Sequence, residues 1–136
     1  MKISIIILLA FSITPVIQAQ IQISNLSGTE IGMHAAGELE RYLGKMYTGV
    51  DFLRVKSDSN AHIQFVSGVQ AKAAGLKAIP TEEGSFKIFE EEGKLFIVSP
   101  NERGLLNATY ALLEKLGCRF YISGDVVSEQ KKVVRL

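Results

Sequence analysis

The chain has 136 residues, with 15 Lys and Arg against 14 Asp and Glu, and a single cysteine. That length corresponds to one domain. The near-neutral balance supplies no basic field for nucleic acid or an anionic membrane, and one cysteine excludes a disulfide framework within the chain.

The first residues read as an export signal. Met1-Lys2 gives a positive start, Ile3 to Ile13 is almost wholly apolar, and Thr14-Pro15 breaks the run. Val16-Ile17-Gln18-Ala19 then places a small residue at the cut. Residues 1–19 are therefore expected to be a secretory signal peptide. Residues 20–136 form the domain, exported to the periplasm or the outside of a bacterial cell. The apolar run is shorter than the roughly 20 residues a spanning helix needs, so no membrane contact is expected after cleavage.

Gln20 to Ser24 alternates in the manner of a strand, and Asn25 to Gly28 turns. Thr29 or Ser27 can cap the next element, with Glu30 favourable near its positive end. Ala35, Ala36, Leu39, Tyr42, Leu43 and Met46 then recur at helical spacing, and the pattern ends near Thr48-Gly49. Gly32, Gly37 and Gly44 inside it are tight-packing points or mild weak spots. Val50 to Lys56 and Ala61 to Val66 read as two strands. Val69 to Leu76 reads as a short helix or irregular segment. Phe86 to Phe89 and Leu95 to Val98 form a hairpin around Glu91 to Gly93.

Asn101 is a good N-cap and Glu102 suits the helix dipole. Leu105, Ala108 or Thr109, Leu112 and Leu116 make one stripe, widened by Leu106 and Leu113. Gly117 is placed to stop the helix in a left-handed conformation. Cys118 to Ile122 is extended, Ser123-Gly124-Asp125 turns, and Lys132 to Leu136 is a last short strand or the start of a linker. The order β-α-β-β-(short α)-β-β-α predicts an α/β (α+β) two-layer sandwich, with a mixed sheet and two long amphipathic helices on one face. The strands are not uniformly polar on the other side, so a covering neighbour is expected there.

No catalytic, cofactor or metal constellation stands out. His34 and His62 lie far apart with no acidic ligand spacing, and HExxH, CxxC and GxSxG are absent. Glycosidases commonly use two carboxyl groups about 5–9 Å apart in a cleft. Glu38 and Glu40 point apart on a helix, whereas Glu82-Glu83 and Glu90-Glu91-Glu92 fall in loops. Cys118 reads as a small buried hydrophobe. Arg103 and Arg119 flank the second long helix and are either solvated charges or partners for a carboxylate across a domain boundary. Gly104, beside Arg103, either admits a close neighbour or is simply tolerated.

Two segments carry a resemblance. One is Ala36-Gly37-Glu38-Leu39-Glu40-Arg41-Tyr42-Leu43, with Met46 and Thr48-Gly49. The other is Asn101-Glu102-Arg103-Gly104-Leu105-Leu106, with Tyr110, Leu112-Leu113-Glu114 and Leu116-Gly117-Cys118-Arg119-Phe120-Tyr121. Together they resemble the N-terminal non-catalytic α/β domain of glycoside hydrolases of the β-N-acetylhexosaminidase, α-glucuronidase and α-N-acetylglucosaminidase kind. The segment from Glu102-Arg103-Gly104 to Tyr121 looks most like the version found in Bacteroides-type secreted proteins. The resemblance implies an accessory domain whose partner is a (β/α)8 catalytic barrel of the same parent protein, a sequence not contained in this chain. It therefore transfers no catalytic residue and no cofactor, and it leaves Arg103, Gly104 and Arg119 as candidate interdomain contacts. The alternative is a free-standing exported module that binds a glycan or a protein, with Tyr47, Phe52, Tyr110 and Tyr121 as candidate stacking aromatics.

Overall fold

The structure, a computed structural model, describes residues 19–77 and 79–127. The expected signal peptide, apart from Ala19, and the Lys132 to Leu136 segment lie outside the described residues. In chain order the elements are β1 (Ala19–Asn25), α1 (Glu30–Met46), β2 (Val50–Val55), β3 (Ile63–Ser67), α2 (Gly68–Ala73), β4 (Lys87–Glu91), β5 (Lys94–Ser99), α3 (Glu102–Lys115), β6 (Arg119–Tyr121) and β7 (Gly124–Val126). Five strands form one sheet in the order β2-β1-β3-β5-β4. The first four are mutually parallel, and β4 joins β5 antiparallel.

The fold is α/β, with α1 and α3 packed together over one face of the sheet. Alternation along the strands selects that face: Ile23, Ile63, Phe65 and Ile97 point into it and meet Ala35, Leu39, Leu43, Leu105, Ala108 and Leu113. The opposite face is not bare. Val66 and Val98, with Phe89 and Phe96, pack against Ala71 and Leu76 from α2 and its following turn. Part of the covering expected from a neighbour is thus supplied by the chain itself, because a parallel β3 flanked on both sides must bury both its faces.

Local chemistry sets the ends of the helices. Thr29, not Ser27, caps α1 by accepting from the Gly32 amide at 3.1 Å. Ser27 is instead held by Asn25, its hydroxyl donating to Oδ1 at 2.5 Å. Asn101 caps α3 by accepting from the Gly104 amide at 3.1 Å. Gly117 ends α3 with φ 112°, and its amide donates to the Glu114 carbonyl at 3.0 Å. The tip of the β4–β5 hairpin is Glu92-Gly93, both left-handed (φ 50° and 73°), as a tight two-residue turn requires.

Two expectations are corrected. The deepest leucines of α3 are Leu105 and Leu113, both fully buried, whereas Leu112 and Leu116 are only partly buried. The expected line holds over Leu105, Ala108 and Thr109, which are all buried, and departs only in the second half of α3, where Leu113 replaces Leu112 and Leu116 in the core. After Cys118 the chain also does more than extend and turn. It folds back at Ile122-Ser123, and β6 pairs antiparallel with β7 as a separate two-stranded ribbon.

Candidate functional site

In an open parallel sheet, ligands bind outside the carboxyl ends of the strands where the connections diverge, which here is between β1 and β3. Those ends are polar, but their groups are consumed internally. Ser24 Oγ accepts from the Asp58 amide at 2.8 Å. Asn25 receives Ser27 and donates to the Thr29 carbonyl at 3.3 Å. Gln70 of α2 accepts from the Ser67 hydroxyl and reaches the Ser27 carbonyl at 3.5 Å. Gly32 lets α1 close over this turn, since a methyl there would lie 2.2 Å from Ser27 Oγ. The crevice is thereby plugged.

The open concavity lies beside it, toward the sheet edge. A groove of about 710 Å³ runs between the first half of α1 and the end of β2, with Ile23, Ala36, Met33, Leu53, Arg54 and Lys56 among its lining. Arg54 lies across α1 and donates through Nε to Glu40 Oε2 at 2.6 Å. Gly37 makes room for it, its missing Cβ falling 3.2 Å from Nη1. Among the described residues no aromatic side chain lines this groove.

A second cluster ties the β6–β7 ribbon to the helices. The buried phenol of Tyr42 donates to Asp125 Oδ2, and the Tyr110 hydroxyl donates to Glu38 Oε2 at 3.0 Å. Phe120 sits between the two rings, edge-on to Tyr42 at 5.3 Å and to Tyr110 at 5.0 Å. Burial, then the bond to Asp125, pushes the Tyr42 phenol up to about 12. Burial also acts to raise Glu38. The hydrogen bonds from Arg41, at 2.9 Å, and from Tyr110 outweigh it and hold the carboxyl below its usual range. A carboxylate held ionised in this way suits a structural anchor, not a proton donor near neutral pH.

The ribbon carries a concentrated apolar surface. Tyr121, Ile122 and Val126 are all exposed, and Ile122 is fully so.

The sequence candidates fall in three different places. Arg103 is exposed on the first turn of α3. Gly104 is buried, and the close approach it permits is by the chain's own Ser99 hydroxyl and Ser85 carbonyl, 1.9 and 2.3 Å from where a Cβ would stand. Arg119 opens β6 and donates to the Glu114 and Cys118 carbonyls at 2.9 and 2.7 Å, closing the end of α3. Tyr47 and Phe52 are buried against one another, Tyr110 is half-buried, and Tyr121 alone of the four aromatic candidates is largely exposed. Cys118 is buried, its thiol 3.4 Å from Met46 Sδ. His34 is exposed, and His62 Nδ1 accepts from the Gln22 amide at 3.1 Å. Among the described residues no group of three His, Cys, Asp or Glu side chains is placed to hold a metal ion. Neither the groove nor the exposed ribbon was legible beforehand, because each is formed by elements that only the tertiary fold brings together. No protein-family model, curated protein or solved structure matches the chain.

Proposed function

We propose that this domain is a non-catalytic accessory module of a secreted glycoside hydrolase, packing on a (β/α)8 catalytic barrel of the same parent protein. The observation that carries the reading is the apolar surface of Tyr121, Ile122 and Val126, presented on a ribbon fixed to the helix layer by Tyr42 and Phe120. Exposed apolar patches of this kind mark contact surfaces between proteins or domains. The resemblance of the two helical motifs to those of glycosidase accessory domains is what suggests the partner. Arg119, at the base of the ribbon, is committed to the carbonyls at the end of α3, whereas Arg103 is exposed on the first turn of α3 and would serve as a separate contact.

The native reading frame tests this directly. An in-frame extension of roughly 250 residues with barrel periodicity is expected beyond codon 136, and a stop codon there overturns the reading. In the extended protein, Ile122→Asp is expected to separate one unfolding transition into two, whereas unchanged single-transition melting removes the ribbon from the interface.

The groove beside β2 favours a second reading, a free-standing exported binding module. It predicts capture of a ligand by the isolated protein, and it would replace the first reading if the frame stops at Leu136.

A further inference from the structure

The groove between α1 and β2 has a chemistry of its own. Ile23 and Ala36 stand behind it, closed off from solvent, and its accessible apolar surface comes from Met33 and Leu53. Met33 is 54% exposed and Leu53 42%, two large apolar side chains left in water beside a concavity. A flexible thioether in such a place adapts to the shape of an aliphatic guest. The cations of the groove are not equivalent. Arg54 is neutralised by Glu40, with the guanidinium and the backbone amide both turned to that carboxylate. Lys56 is exposed and makes no ion pair among the described residues, so it is the uncompensated charge of the groove. Among the described residues the groove has no aromatic ring on which a sugar could stack. Asn25, the amide in the lining, has both ends of its side chain occupied by the Ser27 turn and the Thr29 carbonyl.

We propose that the groove binds an aliphatic carboxylate, its chain lying on Met33 and Leu53 and its head group paired with Lys56. The volume of about 710 Å³ lies within the range of small-molecule sites and accommodates a medium-length acyl chain. The charge of Lys56 selects a carboxylate over a neutral alcohol of the same length, and the apolar surface of Met33 and Leu53 selects a long chain over a short one. This inference does not depend on the accessory-domain reading.

Titration calorimetry of the purified protein with decanoate, decanol and butyrate tests it, together with amide chemical-shift mapping. Decanoate is expected to bind with Kd below about 1 mM, and butyrate is expected to give no measurable heat. Lys56→Gln should weaken decanoate about tenfold while leaving decanol unchanged. Met33→Glu should weaken both long-chain compounds. Both replaced residues are exposed, so an unchanged unfolding midpoint shows that each variant is folded. Shifts confined to Met33–Glu40 and Leu53–Ser57 support the site. Absence of decanoate binding, equal affinity of decanol and decanoate, insensitivity to Lys56→Gln, or shifts centred elsewhere would each overturn it.

Discussion

Tyr42 and Asp125, 83 positions apart, are joined by a hydrogen bond from a buried phenol to a carboxylate on an exposed ribbon. The ribbon has only three residues in each strand and, among the described residues, pairs with no other strand. An isolated hairpin is marginal in water, so its order comes from this bond and from Phe120 wedged between Tyr42 and Tyr110. Tyr42→Phe keeps the ring and removes the donor, and is expected to cost about 1.5 kcal/mol. Amide exchange should quicken across Arg119–Val126 and stay unchanged in β3 and β5. Uniform quickening would show that the ribbon and the core open as one unit.

Two glycines make opposite predictions from the same substitution. At Gly104 a methyl group would stand 1.9 Å from Ser99 Oγ and 2.3 Å from the Ser85 carbonyl, which is backbone and cannot swing away. Gly104→Ala should therefore lever α3 off the end of β5 and destabilise the domain by about 3 kcal/mol. Gly44, exposed within α1, has nothing within 4 Å of its missing Cβ. Gly44→Ala should stabilise by up to about 1 kcal/mol through helix propensity. Urea unfolding of the two variants measures both signs.

Glu38 and Tyr42 make stability depend on pH at opposite extremes. The folded state lowers the Glu38 carboxyl from its ordinary 4.5, so the unfolded chain takes up its proton first as pH falls. Its contribution is present above about 4.5 and is lost as pH drops through the lower, folded value. Tyr42 runs the other way. Its folded value, about 12, exceeds the ordinary 10, so unfolding releases a proton between these limits. Stability should fall as pH rises from 10 toward 12, and Tyr42→Phe should flatten part of that limb, the rest coming from the Tyr47 and Tyr110 phenols, which burial also raises. Glu38→Gln should flatten the acid limb and soften the alkaline one as well, because the Glu38 carboxylate helps to hold the Tyr42 and Tyr110 phenols up. Denaturant midpoints across pH, with phenolate absorbance at high pH, check both.

Much of the fold was legible in the sequence where the signal is local. Asn101 followed by Glu102, and Leu116 followed by Gly117, announce the ends of α3, and Glu92-Gly93 announces a tight hairpin. Features that depend on distant partners were not legible. Gly32, Gly37, Gly44 and Gly104 look alike in sequence. Three of them admit a close neighbour and one faces open space, a difference set by Ser27, Arg54 and Ser99 from other elements. Strands β6 and β7 are too short for an alternating pattern to declare itself. The groove was invisible because Met33 and Lys56 belong to separate elements that become neighbours only once β2 pairs with β1.

The stripe on α3 separates helical periodicity from actual burial. Leu112 lies on the expected line and Leu113 beside it, yet Leu113 is fully buried within the α1–α3 core and Leu112 is only partly covered. The reason is the α1–α3 contact itself. Thr109 turns its hydroxyl to the Leu105 carbonyl at 3.0 Å and to the Ala35 carbonyl of α1 at 3.5 Å, which fixes the rotation of α3. Leu113, one turn beyond Thr109, is thereby carried into the centre. Leu113→Ala should cost about 3–4 kcal/mol by removing a fully buried side chain, whereas Leu112→Ala should cost about 1–2 kcal/mol. Equal losses in chemical denaturation would mean that α3 is rotated by half a residue from the orientation described, and Thr109→Val should then be neutral instead of destabilising.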